Sequence, residues 1–175
     1  MVKMGLIKRK DGSALYQFNF AHRLLYLVFS LLLVVGFLFE VKSTTITLSF
    51  IVPAVLFLLG LFGFGYQERW LFDPNSKIVE YTIGWFFINR KERFNSDDIE
   101  SFELSHFIKG FESAALAPAR FKRGNRKMVV FSINFHDNTK KDIEIIGKRT
   151  SSGMTEKSAQ LIAELMNKKL YGDYS

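Results

Sequence analysis

Residues 20–66 read FAHRLLYLVFSLLLVVGFLFEVKSTTITLSFIVPAVLFLLGLFGFGY, and this stretch decides the architecture. No charged residue lies from Leu24 to Phe39 or from Ser43 to Tyr66, whereas the flanking sequence is densely charged. A helix rises about 1.5 Å per residue, so about 20 apolar residues cross a hydrocarbon core of about 30 Å. The first run is short for that, and Phe18, Phe20 and Ala21 extend it. Arg23 then lies at the interface, where its aliphatic stem follows the lipid while its guanidinium reaches the phosphates. The second run is long enough to cross with tilt, and Pro53 predicts a bend inside it. Residues 24–66 are therefore expected to form a two-helix transmembrane hairpin. A cleavable signal peptide is the competing reading of the first run, but its leader from Met1 to Arg23 is long and no small-x-small site follows Phe39. Gly60, Gly63 and Gly65 offer small surfaces on the second helix and are predicted to pack against the first; contact with another subunit is the alternative.

Working outward, residues 1–23 form a basic segment with Lys3, Lys8, Arg9, Lys10 and Arg23, while only Lys42 lies in the connection from Glu40 to Thr45. Basic residues stay on the cytoplasmic side, so both termini are expected there, in a bacterial inner membrane. The 48% hydrophobic content, with 19 Phe, exceeds what one soluble domain needs, and the hairpin accounts for the excess. The absence of cysteine removes disulfides, thiolate metal sites and thiol nucleophiles together.

Residues 67–175 read as a single cytoplasmic α+β domain. QERWLF, then DPNSK, then IVEYTIGWFFINR predicts a hairpin whose turn is Asp73-Pro74-Asn75, since Pro fixes φ and the Asx side chains bond nearby amides. Gly84 predicts a bulge or second bend, Ser96 a cap for a single turn at Asp97-Asp98-Ile99, and Ser101 to Phe107 a further strand. Met128 to Phe135 and Asp142 to Ile146 read as two strands joined at His136-Asp137-Asn138-Thr139. A helix is expected from about Thr155 to Leu170, with Leu161, Ile162, Leu165 and Met166 as its apolar stripe. The result is an antiparallel meander of six or seven strands closed by a C-terminal helix, the layout of pleckstrin-homology-like domains.

ERWLFDPNSKIVEYTIG followed by RKERFNSDDIESFEL resembles the bacterial pleckstrin-homology-like membrane proteins, with a Phe-Asp turn, a long strand and an Asp-Ile before a strand. Two N-terminal helices followed by such a domain is also similar to the layout of a photosystem I assembly factor of plastids and cyanobacteria. The resemblance implies scaffolding, assembly or docking beside the lipid, with no catalysis and no cofactor.

The candidate binding residues lie in the excursion from Lys109 to Lys127, where Lys109, Arg120, Lys122, Arg123, Arg126 and Lys127 face Glu112 alone. Held near an anionic leaflet, each cation contributes about 1 kcal/mol, which salt screens; a solvated loop is the equal alternative. Phe111 and Phe121 suit insertion at an interface or docking on a membrane-protein partner, against burial on the domain's own sheet. With only these two aromatics interleaved, nucleic acid is not expected. His22, His106 and His136 form no ligand or triad spacing, Asp97 and Asp98 read as turn residues, and the glycines near Gly60 lack the Lys of a phosphate loop. Trp70 and Trp85 are expected to be buried in the sheet, with anchoring at the headgroups as the alternative. The function expected is a membrane-anchored, non-enzymatic docking or assembly platform; the alternatives are an anionic-lipid recognition module using residues 109–127 and an accessory subunit of a larger membrane complex.

Overall fold

The structure is a computed structural model that describes residues 4–40, 48–108 and 127–172. Strands β1 (Met4–Lys8) and β2 (Ala14–Phe18) pair antiparallel around a tight turn. In that turn the Asp11 carboxylate accepts the Ser13 amide and hydroxyl at 2.9 and 2.7 Å. Gly12 there takes a φ of 86°, which costs a residue without a Cβ little. Asn19 separates β2 from helix α1 (Phe20–Glu40), and its side-chain carbonyl caps the Ala21 amide at 3.0 Å. Helix α2 (Leu48–Gly65) passes directly into β3 (Tyr66–Asp73). Then follow β4 (Ile78–Trp85), β5 (Ile88–Asn95), a 3-10 turn (Ser96–Asp98), β6 (Ile99–Ile108), β7 (Lys127–Phe135), β8 (Lys140–Gly147), α3 (Lys148–Ser151), α4 (Met154–Leu165) and β9 (Lys169–Gly172).

The described strands form two sheets, ordered β1-β2-β3-β4-β5 and β8-β7-β6-β9; among them only β9, beside β6, pairs in parallel. Tyr16, Trp70, Phe72 and Val79 from the first sheet meet Phe102, Phe131, Ile133 and Ile146 from the second, all fully buried. Helix α4 adds Ala159, Ile162, Ala163 and Met166, the i, i+3, i+4, i+7 face of a helix lying on a core. Leu161, expected in that stripe, is exposed while Ala159 and Ala163 are buried, and the helix ends at Leu165 rather than near Leu170, which lies in β9.

Three further expectations are corrected. The basic N-terminal segment is not an appendage of the hairpin: β1 and β2 belong to the domain's first sheet, with Tyr16 opposite Trp70. The chain bends after Trp85, at Phe86-Phe87, rather than at Gly84, which pairs with Asn89. Asn95, and not Ser96, caps the single turn, accepting the Asp97 amide at 3.0 Å. The Asp73 turn is as expected, with Asp73 Oδ1 accepting the Asn75 amide at 3.0 Å.

The placement of the helices matters most for function. β2 and β3 are adjacent and antiparallel, so the helical pair stands where a short turn would otherwise join them. α1 is long and apolar enough to cross a membrane, and only 6% of its 18-residue apolar window is buried. α2 packs on α1 through small residues: a Cβ at Gly60 would collide with the Ser30 hydroxyl, and one at Gly63 would lie 2.9 Å from the Tyr26 ring. Gly65 instead lies under Trp85 and Phe86, so it serves the joint with the domain and not the helix pair.

Candidate functional site

Of the residues singled out in the basic excursion, Lys109, Phe111, Arg120, Phe121, Lys122, Arg123 and Arg126 lie outside the described residues. Lys127 opens β7, is half-buried, and stands in register with Ile108, so the two ends of the excursion are neighbours in the second sheet.

The described structure gathers aromatic and basic side chains at the foot of the helices, where the chain enters and leaves the domain. Arg23 donates to the Phe64 carbonyl at 3.1 Å, and its guanidinium carbon lies 5.7 Å from the Phe64 ring centre. That contact ties the first turn of α1 to the last of α2. Trp85 stacks on Phe62 with ring centres 4.6 Å apart and donates its indole N–H to the Phe62 carbonyl at 3.2 Å. Phe86 donates its amide to the Gly65 carbonyl at 2.9 Å, and Gln67 donates to the Phe86 carbonyl at 3.1 Å. The bonds from Trp85 and Phe86 satisfy carbonyls that the end of α2 leaves open. Phe18 meets Tyr66 at 5.6 Å on the other side of the joint. Of the two tryptophans, Trp70 is fully buried, but Trp85 is at this foot. Its cross-strand partner is Tyr66 and its stacking partner a helix residue, so pairing in the sheet does not bury it as expected.

The basic residues used to orient the hairpin are distributed differently from their sequence order. Met4 pairs with Phe18 next to α1, whereas Lys8 pairs with Ala14 at the other end of β2. There the Asn75 side chain donates to the Asp11 carbonyl at 2.9 Å, bringing the β1–β2 and β3–β4 turns together. With β3 eight residues long, Lys8, Arg9 and Lys10 stand at the end of the sheet remote from the helices, about 26 Å from the foot at ~3.3 Å per residue. Arg23 remains at the foot.

Two polar groups, Glu144 buried and Lys141 half-buried, join the sheets. Glu144 of β8 accepts the Met4 amide at 3.0 Å, the Thr155 hydroxyl at 2.9 Å and the Tyr16 hydroxyl, tying together β1, β2, β8 and α4. Burial, followed by the neighbouring Glu144 carboxylate, pushes the Tyr16 phenol above its ordinary range. Lys141, also on β8, lies over Phe94, Tyr81 and Trp70 at 4.7, 4.9 and 5.8 Å from the ring centres and pairs with Glu92. This cation–π box is filled by the chain's own lysine, which makes it an internal clamp between sheets.

The histidines are spread over α1, β6 and the β7–β8 turn. Among the described residues no group of three or more His, Asp or Glu could hold a metal ion. Asp97 pairs with Lys77 at 3.3 Å and Asp98 offers its carbonyl to the His136 amide at 3.0 Å, both turn duties. An apolar cavity of about 200 Å³ lies between the helices, bounded by Leu33, Val34, Phe37, Pro53, Ala54 and Phe57. Comparison with protein-family models, with curated proteins and with solved structures finds no match.

Proposed function

We propose that this chain is a membrane-anchored docking or assembly platform without a catalytic role. In this reading α1 and α2 both cross a bacterial inner membrane, and a pleckstrin-homology-like domain lies on its cytoplasmic face. The observation that carries the reading is the two-point attachment. Both helices enter neighbouring strands of one sheet through at most one residue, so the domain is fixed to the hairpin without a flexible tether. Leu25, Leu32 and Leu59 are 68%, 66% and 60% exposed, a surface that calls for lipid or another apolar partner.

Placement of β1 and β2 argues against a cleaved leader. Removal of everything up to α1 would take Tyr16 out of the core and two strands out of the first sheet. Six consecutive antiparallel strands, β3 to β8, divided between two packed sheets and closed by α4, support the pleckstrin-homology-like reading; β1, β2 and β9 are additions to it.

The test is affinity purification of the full-length protein in mild detergent with mass spectrometry, beside a variant neutralised at Arg120, Lys122, Arg123 and Arg126. A stoichiometric membrane complex with the wild type is the expected result, and its loss from the variant places the contact on residues 109–127. Recovery of the protein alone with anionic lipid overturns the platform reading in favour of lipid recognition.

A further inference from the structure

We propose that the β4–β5 turn is a third membrane contact, a shallow wedge that inserts Phe87 and Ile88 into the boundary between headgroups and acyl chains of the leaflet that α2 leaves. This rests on the proposed membrane anchoring and adds a site on the domain itself. Phe87 is 97% exposed and Ile88 79%, the two most exposed of the large apolar residues described. Neither belongs to a helix, and a soluble surface has no use for two such neighbours at the tip of a hairpin.

The height of the tip is fixed by its roots. Trp85 and Phe86, immediately before it, are bonded to the Phe62 and Gly65 carbonyls at 3.2 and 2.9 Å, so Phe87 projects beside the last turn of α2. Phe20 at the start of α1 and Tyr66 at the start of β3 are exposed at the same level. Together with Trp85 they form the aromatic belt that membrane proteins place at the interface. Phe86 carries a φ of 46°, a conformation that bulky side chains rarely adopt. The surrounding bonds hold that strained turn in place, and what it gains is the outward aim of the next two side chains. Two residues along β5, on the Ile88 face and about 7 Å away at strand spacing, the Arg90 side chain is 79% exposed and pairs with Glu92 at 3.1 Å. From there it can exchange that partner for phosphates while Ile88 reaches acyl chains.

The consequence is mechanical. Two helices alone permit hairpin and domain to tilt together in the bilayer, whereas a third contact off the hairpin axis defines which face of the domain lies toward the leaflet.

The chain contains no cysteine, so single labels are readily placed. Spin labels would be attached at Phe87→Cys, at Leu32→Cys within α1 and at Asp137→Cys in the remote β7–β8 turn. The full-length protein would be reconstituted in vesicles of phosphatidylcholine and phosphatidylglycerol, and accessibility to oxygen compared with that to a water-soluble nickel chelate. Phe87 contributes almost no buried surface, so its replacement leaves the fold intact. The expected oxygen-to-nickel ratio at residue 87 is severalfold above that at 137 and below that at 32. A ratio at 87 equal to that at 137, with 32 deep in the bilayer, overturns the wedge alone. An aqueous ratio at 32 overturns the membrane reading and the wedge with it.

Discussion

In the helical hairpin Leu25, Leu32 and Leu59 point outward, while in the sheets Phe72, Phe102 and Phe131 are fully buried. The polar groups are inverted as well. The hairpin buries Ser30, bonded to its own Tyr26 carbonyl at 2.9 Å and pressed against Gly60. The domain buries the Glu144 carboxylate, which collects donors from three other elements. One region joins backbones closely and leaves large side chains for an apolar surrounding; the other interlocks large side chains and satisfies charge internally. The two regions differ as they would in two solvents, which is the physical ground on which we propose a bilayer around one of them.

Substitutions that respect this division should injure one region and spare the other. Trp70→Ala empties a fully buried site in the sheet core and is expected to cost about 3–5 kcal/mol, read as a lower melting temperature by near-ultraviolet circular dichroism. The helical far-ultraviolet signal in detergent should persist. Glu144→Ala leaves the Tyr16 and Thr155 hydroxyls and the Met4 amide without their acceptor, at about 1–3 kcal/mol for each donor that water cannot reach. Chemical denaturation measures it; Ser30→Ala in the hairpin, which loses one local bond, provides the contrasting small change. Gly60→Val forces the helices apart at Ser30, an overpacking of about 1–3 kcal/mol. It should widen the distance between spin labels on Leu25 and Leu59 while the melting temperature of the domain stays put.

Acid sharpens the same contrast. Hydrogen bonding to Arg93, then to Lys91, holds the Glu80 carboxyl below its usual range, and Lys140 does the same first for Glu103. Such groups bind fewer protons folded than unfolded, so their contribution is present above the unfolded value of about 4.3 and is lost as pH falls through the lower folded values. No Asp or Glu lies between Phe20 and Phe39 or between Leu48 and Gly65. Thermal melts taken from neutral pH downward should therefore show the domain weakening below about pH 4 with the helical signal unchanged.

The hairpin is legible in the sequence because an uncharged apolar run of bilayer length suits a lipid surrounding far better than a water-facing helix. The β3–β4 turn is legible because Asp73-Pro74-Asn75 supplies both its φ and its bonds. The N-terminal strands are masked by the charge of Lys8, Arg9 and Lys10, although the Asp11-Gly12-Ser13 turn and the alternation Ala14, Tyr16, Phe18 carry a signal for them. The bend at Phe86-Phe87 is not legible, since a bulky residue at positive φ follows from tertiary bonds to α2 and not from local preference. For the same reason the foot of the hairpin cannot be read as a site from the sequence: its residues are distant along the chain, and Phe62, Trp85 and Phe86 meet only in the fold.

The most direct test of the two-crossing anchor is labelling of single cysteines by a membrane-impermeant maleimide in spheroplasts of a bacterium expressing the full chain. Thr44→Cys, between the helices, is expected to react from outside, and Lys10→Cys and Asp137→Cys only after lysis. Protection of residue 44 in intact spheroplasts, or labelling of 10 and 137 without lysis, would contradict the account.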